Sequence, residues 1–486
     1  MRFRLLETRV GLLNSTARIP FRYGSACLTH CPQAIVSARV DIGGREVVGF
    51  SGDCLPPSWF DKSPGKSYRQ QIDDMLSATR IADEICRDEM SSDVEFFPAW
   101  MACYERLQAN GRERGFTPLL TSFGLSLVER AVIDALCRAA QLPLAKALRE
   151  NIFHIAGGRV HSELDGHEPA AWLPPSPQRT MYVRHTVGLS DPIVNGDLDQ
   201  QDRIGDGFPE TLQDYIDATG VRYFKIKVSN QLDADLPRLQ KIAALIESRR
   251  GCDYSITLDG NEQYKCAEQF DELVDAIERR PELQQLWKNT LVVEQPLERA
   301  IALLAEHTAG IRELGRRKPV IIDESDGQLE SFSQALELGY RGVSSKNCKG
   351  PIKSVLNAGL IWSRNRSLDA RERLVMTGED LCSVGVVSMQ SDLCLVATLG
   401  LTHVERNGHH YHAGLSYLPS SQVTAALAEH GDLYADQHNR PAPLLCDGAL
   451  ATGTTVDAVG FGFAVRPDLD EYSSIDQWSY DSLGIE

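Results

Sequence analysis

The sequence predicts an α/β fold in which a closed barrel of β/α units follows an α+β domain. Three observations carry that expectation. The first 155 residues run from strand patterns to helix patterns. Eight short β-like runs then recur between residues 181 and 405, most of them separated by helical patterns. That alternation is the mark of a parallel sheet with helices outside, and eight units close a barrel. Finally, the 486 residues, 42% hydrophobic and 24% charged, make a folded chain too long for one small core.

The elements follow in order. Residues 3–13 alternate as a strand does. Residues 34–51 read as a hairpin, AIVSARV and REVVGFS around Asp41-Ile42-Gly43-Gly44, where the glycine pair supplies the positive φ of a tight turn. Residues 65–90 and 96–108 are helical, with Pro98 near a start. Residues 124–149 carry the strongest helical stripe (Leu125, Val128, Val132, Ala135, Leu136), widened by Leu127 and Ala131 enough to predict deep burial, with a break at Pro143. Residues 156–182 are rich in Pro and Gly and read as a crossing segment. The eight β runs are 181–187, 222–228, 254–259, 291–294, 319–323, 341–346, 373–377 and 399–405, and residues 232–249 and 264–280 are the clearest helices between them. An open doubly wound sheet is the alternative, but it needs a Gly-rich phosphate loop after an early strand, and none is evident. The expected division is therefore 1–155, 156–435 and a C-terminal stretch, 436–486, that contains a strand-like run at 457–465 and returns to the first domain.

Charge and composition narrow the partners. Lys and Arg number 50 against 67 Asp and Glu, a net charge of −17. This disfavours nucleic acid and anionic membrane surfaces but not a small anion, which a local cluster of cations can hold. No run approaches eighteen apolar residues, and the N-terminus shows no cleavage pattern. The twelve cysteines are scattered without a C-x-x-C pair, and Cys137, Cys252 and Cys394 have apolar neighbours that predict burial. A reduced, cytoplasmic protein is the expectation.

Three acids stand at corresponding strand ends: Asp259 after ITL, Glu294 after LVV and Asp323 after VII. Delivered to one barrel mouth, they would repel one another unless a hard cation lay between them. Mg²⁺, with its preference for oxygen ligands, suits the set, and no His or Cys series offers a comparable zinc site. Glu324 neighbours Asp323, but adjacent strand residues face opposite ways, so only one of the two points at a shared ion; the cleaner strand end favours Asp323. Taken singly, each acid could equally cap a helix or begin a loop.

Lys225 and Lys227 lie in FKIKV, and period-two geometry puts both on one face. Their mutual repulsion and burial predict depressed pKa values, which would let one act as a base. Lys346 ends the sixth run, diametrically opposite the second in a closed barrel. Amines on two sides of a bound acid could move a proton on the carbon next to its carboxylate. Lys349, in the following loop, reads as a second cation or a solvated residue.

The motifs KIK at 225–227, DGNE at 259–262, VEQP at 293–296, IDES at 322–325 and SSKNCKG at 344–350 together resemble the enolase superfamily, in the mandelate racemase and muconate lactonizing enzyme group. The resemblance implies a modified (β/α)7β TIM barrel with an N-terminal α+β capping domain. It implies one Mg²⁺ at Asp259, Glu294 and Asp323, with Lys227 and Lys346 as acid and base and Lys225 on the substrate carboxylate. It places Asn261 beside the metal, and a dimer or higher homo-oligomer is the expected assembly. A strand-six lysine with Glu379 at strand seven is similar to the lactonizing-enzyme arrangement rather than the racemase His/Asp one. The chain departs from the pattern in NCKGPIKS and in the cluster His403, His409, His410 and His412. In this family cap loops close over the mouth, which makes residues 15–32, with Arg22, Tyr23 and His30, the candidate lid. The substrate-contact candidates are Asn261, Glu379, Arg22, Tyr23 and His403. The expected activity is racemisation, epimerisation or cycloisomerisation of a small carboxylate; dehydration of an acid sugar and a non-catalytic binding barrel are the alternatives.

Overall fold

The computed structural model describes residues 1–23 and 26–485. The chain opens as an antiparallel meander, β1 (Arg2–Tyr23), β2 (Ala26–Ile42) and β3 (Arg45–Cys54). The β2–β3 turn is the one the glycine pair predicts, with Gly43 and Gly44 at φ 61° and 89°. Three helices cover one face of this sheet: α1 (Tyr68–Glu89), α2 (Phe96–Arg114) and α3 (Pro118–Ala140). Helix α3 starts six residues before the predicted stripe. Thr117 caps it by accepting from the Leu120 N–H, and Pro118 fits the first turn, where no N–H is needed. It is buried from Leu119 to Arg138. It lies so close to β3 that a Cβ on Gly49 would sit 2.3 Å from the Ala131 carbonyl oxygen. Pro143 breaks the pattern as expected and precedes a short helix, Leu144–Arg149.

All eight barrel strands form within two residues of their predicted starts, except the eighth, which is the short C-terminal end of its run. They are Thr180–Val187, Tyr223–Lys227, Ser255–Asp259, Thr290–Glu294, Val320–Ile322, Gly342–Ser345, Val375–Glu379 and His403–Glu405. Each pairs in parallel with the next, and the eighth closes on the first through Val404↔Val183 and Glu405↔Arg184. The result is a closed, parallel eight-stranded barrel with an α+β cap.

Two segments differ from expectation. Residues 15–23 and 26–32 are strand rather than loop: the β1–β2 ladder continues through Ser15↔Cys31 and Thr16↔His30 to Phe21↔Leu28, with a bulge between. Gly24 and Ser25, at the tip of the expected lid, lie outside the described residues. Residues 457–465 form no strand, because Gly460 and Gly462 take φ of 110° and 95°, which an extended strand cannot accommodate. Phe461 and Phe463 are nonetheless buried, and the Phe461 N–H donates to Asp134 Oδ1 on α3. Farther on, Ser473 and Ser474 pair with Leu12 and Gly11 of β1, while Ala449–Ala451 adds an antiparallel strand beside the first barrel strand. Cys137 and Cys394 are buried as predicted, whereas Cys252 is exposed, since it sits in the turn before the third barrel strand. Among the described residues, no helix is long and apolar enough to cross a membrane.

Candidate active site

Parallel strands in register deliver their last side chains to one end of the barrel. Lys225 and Lys227 alternate with outward Ile226, and the pairings Lys227↔Asp259 and Asp259↔Glu294 set the three charged positions side by side. Lys225 Nζ lies 2.6 Å from Glu294 Oε1, 2.8 Å from Glu405 Oε2 and 3.1 Å from oxygens of both Asp259 and Glu379. Lys227 Nζ is 2.5 Å from Asp259 Oδ2. Across the mouth, Lys346 Nζ donates to Asp323 Oδ2 at 2.8 Å and meets Glu379 Oε2 at 3.1 Å. Lys349 is buried, not solvated, and its Nζ is 2.8 Å from Asp323 Oδ1.

This geometry reverses the expected pKa direction of the lysines. Burial does push Lys225 and Lys227 down, but the facing carboxylates outweigh it: Lys225 is held well above its ordinary value by Asp259, Glu294, Glu379 and Glu405, and Lys227 is raised chiefly by Asp259. Lys346 is likewise raised, by Asp323 and Glu379. The repulsion in KIK does lower Lys227, through Lys225, but Asp259 and the other acids together prevail. Among the acids, burial and the neighbouring Glu379 carboxylate raise Glu294 well above the carboxylate range, while Lys346 and Lys349 hold Asp323 well below it against burial.

Oxygens of Glu294, Asp323 and Glu379 all lie within 4.8 Å of one another. Glu294 Oε2 is buried with no hydrogen-bond donor. Three buried carboxylates with a free oxygen suit a hard divalent cation, whose octahedral ligands lie about 3 to 4 Å apart. The sequence assigned Asp259 where this trio has Glu379. Asp259 is at the mouth, but its carboxylate is turned to the two lysines, because Lys227 is its register partner. Asp323, not Glu324, joins the trio, although both lie just past the strand and both line the cavity; Glu324 accepts from Asn261 Nδ2 at 3.0 Å.

Above the charges lies a small, partly open cavity. Its floor holds Lys225, Lys227, Asn261, Asp323, Glu324, Lys346, Asp380, Glu405 and Asn407, and its cap side is Phe21, Tyr23, Leu28, Pro56 and Trp59. Lys346 Nζ stands 4.7 Å from the centre of the Trp59 ring. The Trp59 loop is fastened to the barrel: Arg299 donates to the Trp59 and Phe60 carbonyls at 2.9 and 3.2 Å and pairs with Glu262 at 2.7 Å.

No protein-family model and no curated protein matches the sequence. Solved structures do match in shape. A mandelate racemase/muconate lactonizing protein from Herpetosiphon aurantiacus superposes with a TM-score of 0.58 at 16% identity, over 96% of this chain and 99% of that one. A 2-chloromuconate cycloisomerase from Rhodococcus opacus gives 0.58 at 15%, over 97% and 99%. An enolase from Bradyrhizobium, complexed with magnesium and mandelic acid, gives 0.56 at 13%, also over 97% and 99%. The chain shares the fold of these structures, a capped β/α barrel.

Within this fold, three expected substrate contacts do not line the cavity; one of them, Glu379, stands in the carboxylate trio instead. Arg22 is exposed and does not line the cavity: with Phe21 and Tyr23 facing in, strand alternation turns Arg22 out. His403 lies inside the barrel two residues below the mouth, stacked on Tyr223 with centroids 4.6 Å apart and 2.8 Å from Arg184, and it does not line the cavity. His409 and His410 pack around His185 and Tyr215 outside the strand ring, where burial keeps all three histidines well below the usual range. Three site residues went unread in the sequence. Glu405 ends HVE as Glu294 ends LVVE, a signal masked by the neighbouring histidines. Arg184 in MYVRHTV, three places before the strand's end, binds Glu379 at 2.9 Å. Asp380 directly follows Glu379 and lines the cavity.

Proposed function

We propose that the protein catalyses divalent-metal-dependent movement of the proton α to a carboxylate, by racemisation, epimerisation or cycloisomerisation. The observation that supports it is that Lys227 and Lys346 come from the second and sixth strands into one cavity whose lining includes Asp323, a member of the carboxylate trio. Glu294, Asp323 and Glu379 would hold the ion, with Asp259 next to them. A bound Mg²⁺ would compete with the lysines for these carboxylates, easing the amines toward neutrality, and would polarise the substrate's carboxyl group.

The chain's own residues then do the proton work. Lys227, once neutral, takes the proton from one face of the α-carbon. The carboxyl oxygens gain charge, and Lys225, as an ammonium, donates to them. Lys346 returns a proton from the opposite face, or remains charged while the intermediate closes on itself. Trp59 and the cap strands cover the mouth and exclude water.

Proton NMR in D₂O tests this. With Mg²⁺, an accepted chiral carboxylate loses its α-proton signal, and chelation stops the loss. Washout that persists under chelation, or none across a panel of α-substituted acids, would refute the reading.

A further inference from the structure

Resting on that reading, the cavity's lining also speaks to what the acid carries. We infer that the substrate is a short carboxylate bearing one aryl or bulky alkyl group, and not a polyhydroxylated acid.

The cavity has two unlike walls. On the cap side, Phe21, Leu28, Pro56 and Trp59 are apolar and buried, and Leu381 and Cys382 continue that surface on the barrel side. Tyr23 has the one hydroxyl on the cap wall among the described residues, and its proton is already given to the Pro57 carbonyl at 2.6 Å. An acid sugar presents a hydroxyl on nearly every carbon, each needing a donor and an acceptor once water is gone. Each one buried unpaired against such a wall loses its hydrogen bonds to water with nothing in return.

On the floor the polar groups mostly satisfy one another. Asn261 Nδ2 is committed to Glu324, and Asn407 Nδ2 to Glu405 at 3.1 Å. Glu324 Oε2 and Asn407 Oδ1 are the fully buried atoms of these lining residues without donors. They can accept from one or two groups near the carboxylate, not from a chain of four or five. An aryl or branched alkyl group instead gains the full burial against Phe21, Leu28 and Trp59, whose rings give shape selectivity.

Calorimetric titration of the Mg²⁺-loaded protein with 2-phenylpropanoate and with gluconate decides it. The expected result is 2-phenylpropanoate binding at least about tenfold more tightly. Trp59→Ala and Phe21→Ala, each checked for an unchanged melting temperature, should each weaken 2-phenylpropanoate at least about fivefold and leave gluconate as it was. Gluconate binding equally or more tightly, or neither acid binding, would overturn the inference. The same samples in D₂O separate the two ideas. If 2-phenylpropanoate binds preferentially yet keeps its α-proton, the chemistry falls and the substrate class stands. If gluconate is preferred and exchanges, the class falls and the chemistry stands.

Discussion

Lys227 Nζ sits 2.5 Å from Asp259 Oδ2, side by side on neighbouring barrel strands. The ion pair is a lock on the proposed base: while it holds, the amine keeps its proton. Asp259→Asn should therefore lower the Lys227 pKa. The alkaline-side rise of kcat/KM with pH, which reports deprotonation of the base, should begin at lower pH in that variant. An unshifted profile in an active, metal-loaded variant would disconnect Asp259 from Lys227.

The two lysines should fail differently. Lys227→Ala and Lys346→Ala each remove one face of the proton relay, at about 10²–10⁴-fold in rate. In an epimerase, α-deuterium exchange should survive in each variant for one enantiomer only, and opposite enantiomers should survive in the two. Equal loss for both enantiomers in both variants would place the lysines in a shared electrostatic role.

The metal set is open to direct comparison. Glu294→Gln and Asp323→Asn should abolish calorimetric Mg²⁺ binding. Glu379→Gln should weaken it at least about tenfold, as expected for a lost hard-oxygen ligand. Each change leaves Lys225, Lys346 or Arg184 short of a buried counter-ion, so urea unfolding must accompany the titration; breaking such a pair costs about 3–5 kcal/mol.

The cap clamp has a pH signature. Arg299 and Lys62 hold Glu262 down to about 2 against burial, from an ordinary value of 4.5. A depressed carboxylate stabilises the fold above its unfolded pKa, and that stability is lost as pH falls through the folded one. The window is therefore about pH 4.5 down to 2, with roughly 3 kcal/mol at stake. Glu262→Gln should be less stable at neutral pH and should lose less stability than the parent across that window, as measured by urea unfolding.

Much of this was legible from the chain because parallel barrels repeat one rule: an apolar run, then a functional side chain. That rule gave all eight strands and the pairing of Lys225 with Lys227 on one face. It failed where an element was misread. Treating 15–32 as a loop removed the alternation that turns Phe21 and Tyr23 inward and Arg22 outward. The run 399–405 was read for its histidines, and so Glu405 was passed over. Sequence spacing also gave the neighbours of the lysines along the strand but not the four carboxylates across the barrel, which is why the direction of their pKa shift came out reversed. The trio has Glu379 where the sequence offers Asp259, whose carboxylate stands against its register partner Lys227.

The central claim is that buried acids gather at a single ion within reach of opposed amines. Anomalous scattering from crystals grown with Mn²⁺ tests it most directly. The account predicts one peak, bounded by Glu294, Asp323 and Glu379, beneath the cavity shared by Lys227 and Lys346. A peak at another place, or none at saturating Mn²⁺, would contradict it.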